Sequence, residues 1–496
     1  MDKRKKRKGR TTTKKRMIVL LCIFTLVLTV LVGKIGWIQF VKGEEYQKLA
    51  FINQNKGRVI PAKRGTIYDR NGKELAISAS VDQVNINPET IRAEGNDLEV
   101  NGTSSCEKYQ QKVAQGLSDI LSLNYDDILK KVQQPGRYVE IMRKVDKDIG
   151  DKVRQWKTDQ QIKGVNIDED VKRYYPNGSL ACHVLGFTGR DDQGLVCGVE
   201  VAFDDYLKGK AGRIISEVDA KGRELPYKPE TRIDPQDGNN VVLTIDETIQ
   251  YIIEKNLKQS VLDYNVTEGA ACIAMDPNTG EILGMASYPD FDLNNPYACP
   301  PGYDPATWMG NDAGSVEALS KTVWRNKALT DTYEPGSTFK AITGSAALEE
   351  GVTKLDTMYS DSPLNIAGWT ISCWRKGSNH GTETFVQAAE NSCNPVFAKI
   401  ALQLGKEKFY QYIDAFGFRS KTGIELSGEA NSIFHSDPQD IDVAVTGFGQ
   451  RFQITPMQLI TAYSAIANGG NLMKPMIVKE LTDNNGNVIK RYSPQV

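Results

Sequence analysis

Between Met17 and Gly33 the chain carries no charged residue, and the sixteen positions before that run hold ten of its 61 lysines and arginines beside a single acid, Asp2. An uncharged run of this kind is close to the shortest that spans a bilayer, and continuing it to Val41 gives ample length. Lys34 interrupts the continuation, but a lysine near the outer end can snorkel to the headgroups while Trp37 sits in the interface. The reading is a single transmembrane helix over 17–41 behind a cytoplasmic basic tail, 1–16. The positive-inside rule then sends everything after Val41 across the membrane. A cleaved signal peptide shares the basic and apolar parts but needs a small-residue cleavage site, and none follows Val32.

The rest of the 496 residues must therefore be explained as material outside the cell membrane. That length calls for two or three domains. With the tail set aside, 51 basic residues face 61 acidic ones, so no basic face is left for phosphate neutralisation and nucleic acid is excluded as a partner. Seven cysteines lie beyond the run, an odd number without Cys-x-x-Cys spacing, which points neither to a metal site nor to a disulfide framework.

In RGTIYDRNGKELA, Asn71-Gly72 between two strand-like runs predicts a two-residue hairpin. Helices are expected over Glu107–Leu123 and Asp126–Val132. The polar, proline-punctuated stretch Glu224–Gly238 has the composition of an interdomain connection, giving a first domain over 56–235 and a second over 239–496. In the second, Asn240–Asp246 reads as a strand leading to a helix at Glu247–Leu262, and Pro277–Gly280 joins strands Ala270–Met275 and Glu281–Ser287. A helix over Ser337–Leu348, apolar on most faces and ended by Gly351, must be buried. The fold class is α+β, a sheet with a central helix.

The chemistry is concentrated around that helix. Pro335-Gly336 delivers Ser337 to its start, and Lys340 follows one turn later on the same face. A serine hydroxyl needs a base, and a lysine among apolar neighbours such as Phe339 and Ile342 can have its pKa lowered enough to serve. Ser-x-x-Lys alone is a weak signal, since Ser337 could be a helix cap and Ser105–Lys108 matches as well. Farther on, Ser392-Cys393-Asn394 stands at a turn into a helix whose apolar face holds Val396, Phe397, Ile400 and Leu402. A hydroxyl there could relay a leaving-group proton, and an amide could hold a substrate carbonyl. Ser122–Asn124 repeats the spacing, and a polar cap is the competing role. Cys393 reads as a small residue packed in the turn.

YEPGSTFK followed by SCN resembles the first two active-site motifs of penicillin-binding transpeptidases. RGTIYDRNGKELA, HVLGFTG (His183–Gly189) and GLVCGVE (Gly194–Glu200) resemble segments of the class B pedestal, or dimerisation, domain. VVLTID and GFGQRFQITPMQLITAYSAIANGG (Gly447–Gly470) resemble the start and a later helix of the catalytic domain. The set runs in order from about residue 17 to the end and is most similar to the division and sporulation branch. The resemblance implies an elongated pedestal followed by a transpeptidase domain with a sheet flanked by helices. It also implies Ser337 as nucleophile, Lys340, Ser392 and Asn394 beside it, and no cofactor. The implied partners are stem peptides ending in D-Ala-D-Ala, β-lactams, the membrane, and proteins of cell-wall synthesis, division or sporulation.

The family's third motif, Lys-Thr/Ser-Gly, falls after the ITPMQL-type helix, and the chain ends at Val496 before one is reached. Lys421-Thr422-Gly423 precedes that helix and resembles a non-catalytic segment. The expectation is thus a C-terminally incomplete transpeptidase domain lacking one oxyanion donor, whose loss costs roughly 10²–10³ in rate. Two alternatives stay open. One is a non-catalytic membrane-anchored scaffold. The other is a D,D-carboxypeptidase or β-lactamase-like acyl-serine enzyme, although the long region 56–235 favours transpeptidase. A Ser-His-Asp hydrolase is disfavoured, because only His183, His380 and His435 are available.

Overall fold

The computed structural model describes residues 55–97, 105–217, 231–375 and 380–496, with scattered positions between 17 and 37. The expected basic tail lies outside the described residues, as does most of the expected anchor. The described positions between 17 and 37 are helical, with Met17, Leu20, Leu21 and Phe24 exposed. Among the described residues no helix is long and apolar enough to cross a membrane.

The chain divides into two compact units. The first takes residues 1–60 and 211–235. Besides the helical positions between 17 and 37, its described residues form an antiparallel sheet in the order Asn55–Ile60, Gly212–Glu217, Thr231–Ile233.

The second unit, residues 61–210 and 236–496, is built on a seven-stranded sheet. Its order is Val488–Arg491, Val478–Thr482, Asn240–Leu243, Ile67–Tyr68, Glu74–Ile86, Val139–Val145, and Val165–Tyr174 also pairs with Glu74–Ile86. The Asn71-Gly72 hairpin forms as expected, with Gly72 at φ +85° and Asp69 Oδ1 accepting the amides of Asn71 and Lys73, each at 2.8 Å. Next to it, Ile67 pairs in parallel with Val241, so strands from either side of the linker share one sheet.

Among the described residues, apolar side chains gather into three cores. One packs Val84, Ile86, Val113, Leu117 and Val165 beneath the helices Ser105–Leu121 and Tyr125–Gln133. Asn124 caps the latter by accepting the Asp126 amide at 2.9 Å, so the Ser122–Asn124 repeat is a helix cap here. A second core joins Ile67, Leu75, Val241, Ile282 and Leu481. Beside it, helix Glu247–Asp263 is fastened to strand Ile282–Tyr288 by Gln250, whose side chain bonds both the amide and the carbonyl of Met285 at 2.8 Å.

The third core surrounds the predicted chemistry: Phe339, Ile342, Val396, Phe397, Ile400, Phe418 and Phe452 are all at most 2% exposed. The expected helix over Ser337–Leu348 is present with two differences. It opens as a 3₁₀ turn, Gly336–Phe339, before the α-helix Lys340–Glu349, and Leu348 is 40% exposed rather than buried.

Candidate active site

Pro335 at φ −68° and Gly336 at φ +60° bring the backbone into the 3₁₀ turn. Positions i and i+3 eclipse in such a turn, so Ser337 and Lys340 stand one above the other more directly than α-helical spacing allows. The hydroxyl of Ser337 is exposed while the lysine beneath is only 5% exposed. Nζ of Lys340 lies 3.2 Å from Ser337 Oγ.

The second motif meets it from the helix Asn394–Leu404. Pro395 in the first turn suits a helix start, and Ser392 ahead of it holds φ +51°. That left-handed backbone, costly for a residue with a Cβ, turns the chain so that three oxygens converge on the lysine. Nζ donates to the Ser392 carbonyl at 2.7 Å and to Asn394 Oδ1 at 2.6 Å, and lies 2.9 Å from Ser392 Oγ. Phe397 closes the apolar side, its ring centroid 5.6 Å from Nζ.

This set of partners suits a neutral amine. Two of its oxygens, a backbone carbonyl and an amide carbonyl, can only accept, and they use both N–H bonds of a neutral amine. The lone pair is left for a hydroxyl proton. Burial works in the same direction and lowers the Lys340 pKa from 10.5 to about 8. Among the described residues no carboxylate is bonded to Nζ to restore the ammonium form.

Several residues outside the two motifs hold this geometry. The Gly336 amide donates to the Gly449 carbonyl at 2.8 Å, and a Cβ on Gly449 would lie 1.9 Å from the Gly336 oxygen. Thr343 Oγ1 donates to the Gly447 carbonyl at 2.8 Å, and the Tyr463 hydroxyl donates to the Thr338 carbonyl at 2.5 Å. In the sequence, the Gly447–Gly470 segment stands out only by its likeness to a family helix. The signal it carried was Gly447-x-Gly449, two glycines in a short turn ahead of a helix. Asn394 faces a cleft of about 450 Å³ also lined by Trp369, Ile371, Phe448, Gln450 and Arg451.

The remaining matches fall elsewhere. Ser105 Oγ donates to the Gly95 carbonyl at a helix start. Lys421-Thr422-Gly423 lies in a loop, where the amides of Thr422 and Gly423 donate to the Glu429 carboxylate at 2.7 and 3.3 Å. His183 is buried and bonded to the Val323 carbonyl, and the His380 amide donates to Asp361. Cys393 is fully buried, and burial pushes its thiol up to about 12, in keeping with a packing role. Among the described residues no His, Cys, Asp and Glu cluster suited to a metal occurs.

Comparison with known proteins agrees along the chain. A penicillin-binding protein transpeptidase domain matches residues 270–495, and a penicillin-binding protein dimerisation domain matches 59–243. Stage V sporulation protein D of Bacillus subtilis is 35% identical over 493 residues, 98% of this chain and 70% of its own length. The peptidoglycan D,D-transpeptidase FtsI of Escherichia coli K12 is 27% identical over 93% of this chain and 71% of its own length. The crystal structure of penicillin-binding protein 2X from Streptococcus thermophilus superimposes with a TM-score of 0.66 at 25% identity. That match covers 89% of this chain and 63% of the other, a little under two thirds. With both family domains in order and a relative 35% identical over 98% of this chain, the chain belongs to the class B penicillin-binding proteins, the peptidoglycan D,D-transpeptidases of cell-wall synthesis.

Proposed function

We propose that this chain cross-links peptidoglycan by acyl transfer through Ser337, with Lys340 as its base and Ser392 and Asn394 completing the site. The observation that carries the reading is the placement of Lys340: a buried amine held by two obligate acceptors 3.2 Å from the Ser337 hydroxyl, where its deprotonated form has a lone pair to offer. The donor is a stem peptide ending in D-Ala-D-Ala. Lys340 takes the proton from Ser337 Oγ as that oxygen bonds to the penultimate D-alanine carbonyl carbon. The tetrahedral intermediate collapses with cleavage of the C–N bond, and the departing amine of the terminal D-alanine receives the proton from Lys340 through Ser392 Oγ, 2.9 Å away. An amine of a neighbouring strand then attacks the acyl-serine, loses its proton by the same route in reverse, and frees Ser337. Asn394, on the cleft wall, holds the donor backbone through its side-chain amide.

A β-lactam follows the first half of this course. Its ring amide opens on Ser337, and the leaving nitrogen stays attached to the adduct. The domain limits 56–235 and 239–496 and the anchor over 17–41, with its tail in the cytoplasm, belong to the same reading. The anchor and its orientation are supported by the uncharged run and the ten basic residues before it. Such an anchor holds the site against the wall, within reach of division or sporulation proteins.

The test is labelling of the full chain in detergent with a fluorescent penicillin, with intact mass to locate the adduct. A single adduct on Ser337, absent from Ser337→Ala, is expected. A folded protein that takes no adduct would sink the reading.

A further inference from the structure

Arg451 lies on the cleft wall that carries Asn394, and its backbone is at φ +65°, a conformation that disfavours any residue with a Cβ. Its conformation is held from two sides. The Arg451 amide donates to Glu334 Oε1 at 2.9 Å, and Nη1 lies 3.0 Å from Asp442 Oδ1. His435 Nε2 stands 3.9 Å from the same Asp442 oxygen. The Asp442 side chain is 9% exposed and that of Arg451 44%, so the carboxylate fixes one edge of the guanidinium and leaves the rest to the cleft. Within the described residues Nε and Nη2 have no hydrogen-bond or ion-pair partner.

A planar guanidinium with an unused N–H pair matches the two oxygens of a carboxylate. Asp442 also keeps the side chain in place before a ligand arrives, which reduces the ordering cost of binding. Trp369, Ile371 and Phe448 line the cleft beside the polar Thr370, Ser372 and Gln450, so a ligand here meets both apolar and hydrogen-bonding surface. We infer that Arg451 is an acid-binding subsite of this cleft, receiving a free carboxylate of the bound peptide. The inference rests on the cleft being the peptide site. Glu334 stands three residues before Ser337, and Gly449, two before Arg451, is bonded to Gly336. The Arg451 backbone thus adjoins the nucleophile turn, and its side chain shares a cleft wall with Asn394.

The peptide's C-terminus and an acidic side chain offer the same chemistry, and three probes separate them. These are a pentapeptide ending in D-Ala-D-Ala with one side-chain carboxylate, the same peptide with that side chain amidated, and the same peptide with its C-terminus amidated. Dissociation constants are measured on the full chain carrying Ser337→Ala, so that no turnover is needed. Amidation of the recognised carboxylate should weaken binding roughly tenfold, the usual scale of a charge-assisted hydrogen bond in a partly open site. Adding Arg451→Gly should abolish that difference, and Arg451→Lys should keep part of it. Glycine suits φ +65°, so its effect reports the missing guanidinium rather than a damaged fold. Equal discrimination with and without Arg451, or no binding of any of the three, would overturn the inference. Penicillin labelling of Ser337 is a separate measurement. If labelling failed while Arg451-dependent discrimination persisted, the transpeptidase reading would fall and the subsite would stand.

Discussion

The side-chain oxygen of Asn394 lies 2.6 Å from Nζ of Lys340 across 54 residues of sequence. A neutral amide here accepts a hydrogen bond without imposing charge, so it adds nothing that would hold the lysine in its charged form. Asn394→Asp replaces it with a carboxylate at contact distance, which stabilises the ammonium and raises the lysine pKa. Penicillin acylation by this variant at pH 7 should fall at least roughly tenfold, with its pH profile displaced upward. An unshifted profile would show that Lys340 is not the group being read.

For the unaltered chain, burial holds Lys340 at about 8, and the proposed mechanism uses its deprotonated form. Acylation should therefore rise with pH from 6, pass half-maximum near 8 and level off above it. Lys340→Arg, with a group that stays protonated, should lose roughly 10²–10⁴ in rate across the range, as removal of a general base does.

Gly449→Ala tests the clamp on the nucleophile turn. Its φ of +87° and the 1.9 Å approach of a Cβ to the Gly336 oxygen mean that Gly336 must move, carrying Ser337 with it. A displacement near 1 Å at a reacting group can cost roughly a hundredfold. Stopped-flow acylation should show that loss. Wild-type rates in a folded Gly449→Ala protein would remove the clamp from the account.

Far from the site, Glu200 is fully buried between Arg64 Nε at 2.5 Å and Arg173 Nε at 2.7 Å. Glu200→Ala leaves two guanidinium groups without their shared countercharge, and breaking such a buried pair costs about 3–5 kcal/mol. Chemical denaturation should show that loss. A cost below 1 kcal/mol would mean that water or Asp204 replaces the carboxylate.

His183 makes a separate prediction about acid stability. Burial lowers its pKa from 6.5 to about 4, and Nε2 lies 2.8 Å from the Val323 carbonyl. Between those two values the unfolded chain binds the proton and the folded chain does not. Stability from this group is complete above pH 6.5 and is lost as pH falls towards 4, up to about 3 kcal/mol. His183→Gln, which can keep a donor near that carbonyl, should flatten this part of the pH dependence of Tm. An unchanged slope would assign it to other groups.

Much of the local architecture was legible because its causes are local. Asn71-Gly72 makes a hairpin through the φ its glycine can adopt, and Asp246 caps the expected helix at Glu247 by accepting the Thr248 amide at 2.9 Å. Ser337 and Lys340 are three residues apart, so any helical turn brings them together. The choice of a 3₁₀ turn was not readable from that spacing, because it depends on Gly449 receiving the Gly336 amide.

What the sequence determined alone was which groups are present and which near neighbours meet: a serine over a lysine, a Ser-x-Asn at a helix start, hairpins at Asn71-Gly72 and Thr279-Gly280. Tertiary structure decided which distant groups share a space. It selected Ser392 and Asn394 over the equally spaced Ser122 and Asn124, paired Ile67 with Val241, and set Arg451 on the wall beside Asn394. The reason is physical. A lysine's basicity depends on burial and on oxygens contributed from other elements, and those are set when the apolar faces of Phe339, Ile342, Phe397 and Ile400 close into one core, not by any run of residues along the chain.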